Sequence, residues 1–251
     1  LHEYLEAAKP AFADRNRYLG DPDQVAVPLR ELLSDGFAKE RACLIGDRAL
    51  PAPVAPGTPD GSYGPCPPAA TGTADEAPEG PETTHLVVAD RWGGVVAYTL
   101  TIEATGGSGI VVPGRGFLLN NELTDFTFGP APGDPNLPGP GKRPRSSMAP
   151  TIVLEHGRPV LAVGSPGGAT IITTVLQILV NRWELGMTLP EALAAPRASQ
   201  RNTGTTQAEP AFLDRYGPQL TARGHVFEPV AELGAATGLE FLGPGLVQAV
   251  A

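Results

Sequence analysis

The sequence predicts an α+β fold, because helical periodicity and strand-like runs come in blocks rather than in strict alternation. Residues 1–47 show two stretches of helical apolar spacing, residues 83–103 and 151–164 carry paired runs rich in valine and threonine, and residues 169–186 return to helical spacing. Between the first two blocks lies a segment too poor in large apolar residues to join either. Such grouping favours layered sheets and helices over a parallel doubly wound sheet. The chain contains no internal repeat.

The first helical stretch is "HEYLEAAKPAFADRNRYLG"; "GDPD" separates it from a second, "VPLRELLSDGFAKERACLIG". From Arg48 to Glu82 the composition turns to proline, glycine, alanine and threonine, with nine prolines from Pro51 to Pro81. Such a segment buries too little surface to offset its ordering entropy and is expected to be flexible. The expected organisation is therefore a helical region over 1–47, a linker over 48–82 and a main domain over 83–251.

Strand character begins abruptly at Thr83 with "TTHLVVAD", and "VVAYTLTIE" follows after "RWGG". A three-residue loop of Arg91, Trp92 and Gly93, with the glycine left-handed, pairs Asp90 with Gly94 and sets Thr83 opposite Thr101. A slip of one residue would put the two threonines on opposite faces. Further on, "PTIVLEHGRPVLAVGSPGG" reads as a second hairpin turning at "EHGR", and "ATIITTVLQILVNRWELG" as a helix closed by Gly186. Thr188 and Glu191 have capping-box spacing, with Pro190 in the first turn. "GHVFEPV" and "GLEFLGPGLVQAVA" read as short strands.

The 251 residues are 41% hydrophobic and 18% charged, which describes a globular chain. With a net charge of -9 and no run of lysine or arginine, the chain lacks the basic stripe a nucleic acid requires. No apolar stretch reaches the roughly 18 residues of a membrane span. Cys43 and Cys66 are the two cysteines; nothing in the sequence fixes their distance, and Cys66 lies among prolines, so a structural disulfide is not the expected outcome. The four histidines stand far apart in sequence, which leaves pairs brought together in space open; no paired-cysteine metal spacing or phosphate-loop lysine motif occurs, and no metal or organic cofactor is implied.

Two features carry possible chemistry. "GSPGG" joins a strand to a helix, and the amides of Gly167 and Gly168 stand at a helix N-terminus, where unpaired N–H groups and the helix dipole favour negative charge. The plain alternative is a tight turn. The second feature is the linker-to-strand junction itself. A cut between Glu82 and Thr83 would place a free α-amine, with a reference pKa near ~8, on the same residue as a hydroxyl, supplying nucleophile and base together. The plain alternative is a linker followed by a β-branched strand start.

"TTHLVVADRWGGVVAYTLTIE", "GSGIVVPGRGFLLNNELTDF", "GKRPRSSMAPTIV", "GSPGGATIITTVLQILVN" and "GAATGLEFL", in this order, closely resemble the γ-glutamyltransferases, also called γ-glutamyl transpeptidases or glutathione hydrolases. "YLGDPD" resembles the end of that family's large subunit. The resemblance implies an N-terminal nucleophile hydrolase with a four-layer αββα sandwich, made extracytoplasmically as a proenzyme that cuts itself before Thr83. It implies Thr83 as nucleophile, Thr101 as its supporting hydroxyl, and Gly167 and Gly168 as oxyanion donors. It also implies that Ser146 and Ser147 hold a glutamyl α-carboxylate and that Glu122 and Asp125 hold the α-ammonium. The implied partners are a γ-glutamyl donor such as glutathione, a water or amino-acid acceptor, and the large subunit of the same proenzyme.

The sequence departs from the family pattern in three ways. Glu103 stands where the best-known members have asparagine, so a carboxylate would contact the substrate ammonium. The stretch from Phe126 to Lys142 is shorter than a lid-bearing version and has no tyrosine, which implies an open site. Most of the large subunit, with the arginine that pairs with the substrate carboxylate, has no counterpart here. An acylase of the same architecture, acting on glutaryl or cephalosporin-type amides, and an unprocessed inactive fragment are the alternatives.

Overall fold

The computed structural model describes residues 1–66, 68–73, 82–129, 133–243 and 245–251. Parts of the expected linker (67 and 74–81) and of the expected lid stretch (130–132) lie outside the described residues. In chain order the elements are helices α1 His2–Tyr18, α2 Leu29–Leu32 and α3 Asp35–Ala42, then strands β1 Glu82–Ala89 and β2 Val95–Glu103. A 3-10 turn, Glu122–Asp125, precedes β3 Thr151–Glu155, β4 Arg158–Gly164, α4 Thr170–Trp183 and α5 Leu189–Ala194. The chain continues with β5 Ala198–Ser199, β6 Thr206–Ala208, α6 Pro210–Ala222, β7 Phe227–Pro229, β8 Thr237–Gly243 and β9 Leu246–Val250. Helices and strands are mixed and grouped, as the block pattern predicts. The chain divides into two units, residues 1–78, 123–145 and 198–231 in one and residues 79–122, 146–197 and 232–251 in the other.

In the first unit α1 turns Tyr4 and Leu5 onto Ala198, Ala208, Phe212 and Leu220, and the Tyr4 hydroxyl donates to the Ala198 carbonyl at 2.8 Å. The three-stranded sheet has the order β5-β6-β7. The second helical stretch is not one helix but two, α2 and α3. Ser34 takes extended backbone geometry and its Oγ accepts from Phe37 N at 3.2 Å, so a cap interrupts apolar spacing that runs on through it.

Residues 48–66 and 68–73 form no helix or strand beyond an isolated Val54–Thr71 bridge, yet they hold specific bonds. Val54 N donates to Asn202 Oδ1 at 2.7 Å and Val54 O accepts from Asn202 Nδ2 at 3.0 Å. Gly57 N donates to Asp14 Oδ1 at 2.6 Å, and the other Asp14 oxygen takes Arg41 Nε at 2.9 Å. Cys43 and Cys66 form a disulfide with a Cα separation of 5.3 Å, contrary to expectation; the spatial proximity that permits it is invisible in sequence spacing. Asp21 of "YLGDPD" is buried and accepts from Arg143 at the backbone N (2.8 Å), Nε (3.1 Å) and a terminal guanidinium N (2.6 Å). Those bonds hold its carboxyl far below the usual range and anchor the "GKRPR" loop.

The second unit is built on two sheets. β1 and β2 pair antiparallel with Thr83 opposite Thr101, and Asp90 N donates to Gly94 O at 2.9 Å. Gly93 has φ 92°, which closes the three-residue loop as predicted. Asp90 Oδ1 accepts from Trp92 N and Gly94 N, each at 2.8 Å. The other sheet has the order β3-β4-β8-β9, and His156 and Gly157, both left-handed, make its first turn at the predicted "EHGR". Leu161, Ala162 and Val163 of β4 are all fully buried, as a strand covered on both faces must be. Ile171, Val175 and Ile178 of α4 and Leu189 of α5 cover one face, and the β1–β2 hairpin lies against the strands β4 and β8. Thr188 N donates to Glu191 Oε2 at 2.8 Å, the predicted capping box. The outward face of the hairpin is apolar and exposed: Leu86 stands opposite Tyr98 and Val88 opposite Val96.

Candidate active site

The junction at Glu82–Thr83 is where the hairpin register changes. The pairing shifts between Glu82 and Thr83, so that Glu82 faces Glu103 while Thr83 faces Thr101. Thr101 Oγ1 donates to the Glu82 carbonyl at 2.6 Å and accepts from Glu103 N at 2.8 Å. A hydroxyl has one proton, so an N–H on its oxygen leaves that proton for the carbonyl. The carbonyl polarised in this way belongs to the peptide bond that precedes Thr83.

Glu103 is buried with φ 75°, a left-handed geometry uncommon for a residue with a Cβ. Asn121 Nδ2 donates to Glu103 Oε2, and Asn121 Oδ1 accepts from Ala104 N at 3.0 Å. Glu122, half-buried at the start of the 3-10 turn, donates its N–H to Asn120 Oδ1 at 3.1 Å. Asp125, the last residue of that turn, is assigned to the first unit, where it is buried and its carbonyl accepts from Asn136 Nδ2 at 2.7 Å. Ser146 is exposed and its Oγ accepts from Met148 N at 3.1 Å; Ser147 is buried.

Gly167 and Gly168, with φ 135° and 55°, form the turn into α4, and their carbonyls accept from Thr170 N and Ile171 N. A Cβ at Gly167 would stand 2.6 Å from Thr170 Oγ1, so both conformation and space require glycine there. The turn is pinned by Ser165, whose Oγ donates to Pro166 O at 2.7 Å and accepts from Ala235 N at 3.2 Å. A Cβ at Gly234 would meet that Ser165 Oγ at 2.5 Å. The "GAATGLEFL" segment therefore serves the glycine turn, a role that its composition alone does not signal.

His85 connects the two elements. Its Nδ1 bonds Thr99 Oγ1 at 2.7 Å, its Nε2 has no partner among the described residues, and burial depresses its pKa. The ring lies flat against Gly164, the residue before Ser165: a Cβ there would come within 2.2 Å of His85 Cε1. Gly164→Ala is therefore expected to destabilise the chain by about 1–3 kcal/mol, an overpacking cost, and a thermal melt within a degree of the parent would refute the contact's importance.

Among the described residues one trio, His2, Glu6 and His225, brings possible metal ligands within 4.8 Å of one another. The carboxylate is already engaged: Glu6 Oε1 accepts from Lys9 Nζ at 2.6 Å and Glu6 Oε2 from Leu50 N at 2.8 Å. His2 Nε2 bonds Gly46 O at 2.7 Å and His2 Nδ1 bonds His225 Nε2 at 2.8 Å. A dication would have to displace a buried ammonium, so the trio is a hydrogen-bonded network.

Burial pushes the His225 pKa down to about 4, against the pull of Glu6. A histidine held neutral in the fold but free to protonate near pH ~6.5 when unfolded costs stability as the pH falls. The melting temperature is expected to drop from pH 6.5 towards about 4, and His225→Gln should make its upper part, from pH 6.5 to about 5, shallower, leaving the share that His85, also held neutral by burial, contributes. An unchanged slope in that variant would remove His225 as its source.

The whole chain, residues 1–251, matches the family model described as gamma-glutamyltranspeptidase. A glutathione hydrolase proenzyme of Bacillus subtilis (strain 168) is 45% identical over 226 residues, covering 86% of this chain and 37% of the relative. The chain thus spans about two-fifths or less of the curated glutathione hydrolases and acylases it resembles. Among solved structures, a cephalosporin acylase from Bacillus halodurans matches 99% of this chain and 42% of its own with a TM-score of 0.81 at 29% identity. A Helicobacter pylori gamma-glutamyltranspeptidase matches 66% of this chain and 96% of its own, with a TM-score of 0.60 at 38% identity. With the motifs, the hairpin register and the glycine turn in agreement, the chain belongs to the γ-glutamyltranspeptidase family.

Proposed function

We propose that this chain is the part of a γ-glutamyltransferase proenzyme that carries the nucleophile, and that it is cut between Glu82 and Thr83. The observation that carries the reading is the Thr101 hydroxyl donating to the Glu82 carbonyl at 2.6 Å. In the first reaction Thr83 Oγ attacks the Glu82 carbonyl carbon, and the developing oxyanion sits on the oxygen that Thr101 already holds. Collapse breaks the C–N bond as the hydroxyl proton passes to the Thr83 nitrogen, leaving the acyl group on Thr83 Oγ and the amine free; water then hydrolyses the ester, releasing the Glu82 carboxyl and restoring the Thr83 hydroxyl.

The freed amine then serves as base while Thr83 Oγ attacks the γ-carbonyl of glutathione or a related donor. The Gly167 and Gly168 amides take the oxyanion, a contribution typically worth ~3–4 kcal/mol per donor. Ser146 and Ser147 hold the α-carboxylate. Glu103 and Glu122 hold the α-ammonium, and the family resemblance assigns Asp125 to the same group. Water or an amino acid resolves the γ-glutamyl enzyme.

The proposed division is a large-subunit end over 1–47, a linker over 48–82 and a small subunit over 83–251. The exposed apolar face of the hairpin supports a fourth layer supplied by the rest of the polypeptide, which would complete the αββα sandwich. No helix among the described residues is long and apolar enough to cross a membrane. The Cys43–Cys66 disulfide supports an oxidising, extracytoplasmic compartment.

Mass spectrometry of the full-length polypeptide tests the cut: a fragment beginning at Thr83 is expected, and its absence sinks the reading. The likeness to a cephalosporin acylase favours a second reading, hydrolysis of glutaryl or cephalosporin-type amides. Release from γ-glutamyl and glutaryl anilides separates the two, since only the first presents an α-ammonium to Glu103 and Glu122. Faster turnover of the glutaryl compound would transfer the assignment to the acylases.

A further inference from the structure

We infer that Asn121 is a positioning residue for the cut before Thr83. It holds Glu103 in a left-handed backbone geometry that aims the Glu103 amide at the Thr101 hydroxyl. The inference rests on the autocleavage reading and adds to it a residue that acts through Glu103.

One residue grips three in succession. Asn121 N donates to Ile102 O at 3.2 Å, its Nδ2 donates to Glu103 Oε2, and its Oδ1 accepts from Ala104 N at 3.0 Å. The grip falls where the ladder has slack, because the register shift between Glu82 and Thr83 leaves Ile102 without a strand partner. It also falls on the residue whose φ of 75° would relax if released. Glu103 N occupies the Thr101 oxygen at 2.8 Å, and that contact directs the hydroxyl proton to the Glu82 carbonyl. If Glu103 relaxes, its amide leaves Thr101, the hydroxyl rotates freely, and the carbonyl loses an oriented donor. The amide is needed for its chemistry as well as its shape: a carboxylate at 121 could still accept from Ala104 N, but it would face Glu103 with like charge.

The test uses the full-length polypeptide and follows the appearance of the Thr83 N-terminus by mass spectrometry. Asn121→Ala is expected to slow the cut about tenfold, the effect of losing one oriented hydrogen bond. Asn121→Asp should be slow at neutral pH and recover, relative to wild type at each pH, as acid lets the two carboxyls share a proton. The double variant Glu103→Gln, Asn121→Asp reverses donor and acceptor and should restore the neutral-pH rate. Absence of the acid recovery and the rescue overturns the inference, as would cutting within twofold of wild type in both single variants, or a melting temperature that falls and recovers in step with the cut, the mark of a merely structural asparagine. A wild-type polypeptide that never yields Thr83 would overturn the autocleavage reading itself, and this inference with it.

Discussion

The Thr83→Ala polypeptide is expected to remain uncut, and its γ-glutamyl transfer should fall by about a thousandfold or more, because nucleophile and base vanish together. Thr83→Ser keeps a hydroxyl and, once cut, the same α-amine, so it should still be processed. The pair of variants separates chemistry from folding: both remove little volume at a half-buried strand position, and only one removes the oxygen. A fragment starting at residue 83 from the alanine variant would show that some other nucleophile cuts the chain. Wild-type turnover by that variant would remove Thr83 from the second reaction as well.

Thr101→Val is expected to give the next largest effect. Valine matches threonine in shape and strand preference, so the hairpin should survive while the only side-chain donor described on the Glu82 carbonyl is lost. Removing one pre-aligned oxyanion donor slows reactions by about 10²–10³-fold, and the cut should slow by that order. Thr101→Ser should restore most of the rate. If valine cuts as fast as threonine, the 2.6 Å contact is a strand-end hydrogen bond without a part in the reaction.

The Thr83–Thr101 pairing was legible because the loop at Arg91 to Gly93 and the alternation of two short strands determine a register by counting. The Thr188–Glu191 cap and the "EHGR" turn were legible for the same reason: each is a local motif whose partners lie within a few residues. Long-range partners were not. Asn202 bonding both backbone groups of Val54, Arg143 closing on Asp21, and Gly234 making room for Ser165 join residues 69 or more positions apart, and no periodicity encodes them. Asn121 sat inside a quoted motif, yet its chemistry depends on the left-handed turn at Glu103, which a glutamate does not announce.

The Cys43–Cys66 bond changes what a cut before Thr83 would set free. Without it, hydrogen bonds such as those of Val54 to Asn202 and Gly57 to Asp14 would be the described hold on the segment that follows α3. With it, Cys66 is tied covalently to the end of α3, and the chain is held again by the Val54–Thr71 bridge, where Ala55 N donates to Ala70 O and Gly72 N to Pro53 O, each at 2.8 Å. A cut before Thr83 would therefore leave Cys66 joined to the helical region by a covalent bond as well as by hydrogen bonds. Reduction of that disulfide would leave the backbone bonds of residues 70–72 as their described hold on the rest of the unit, so the grip on the segment before the cut would depend on oxidation state.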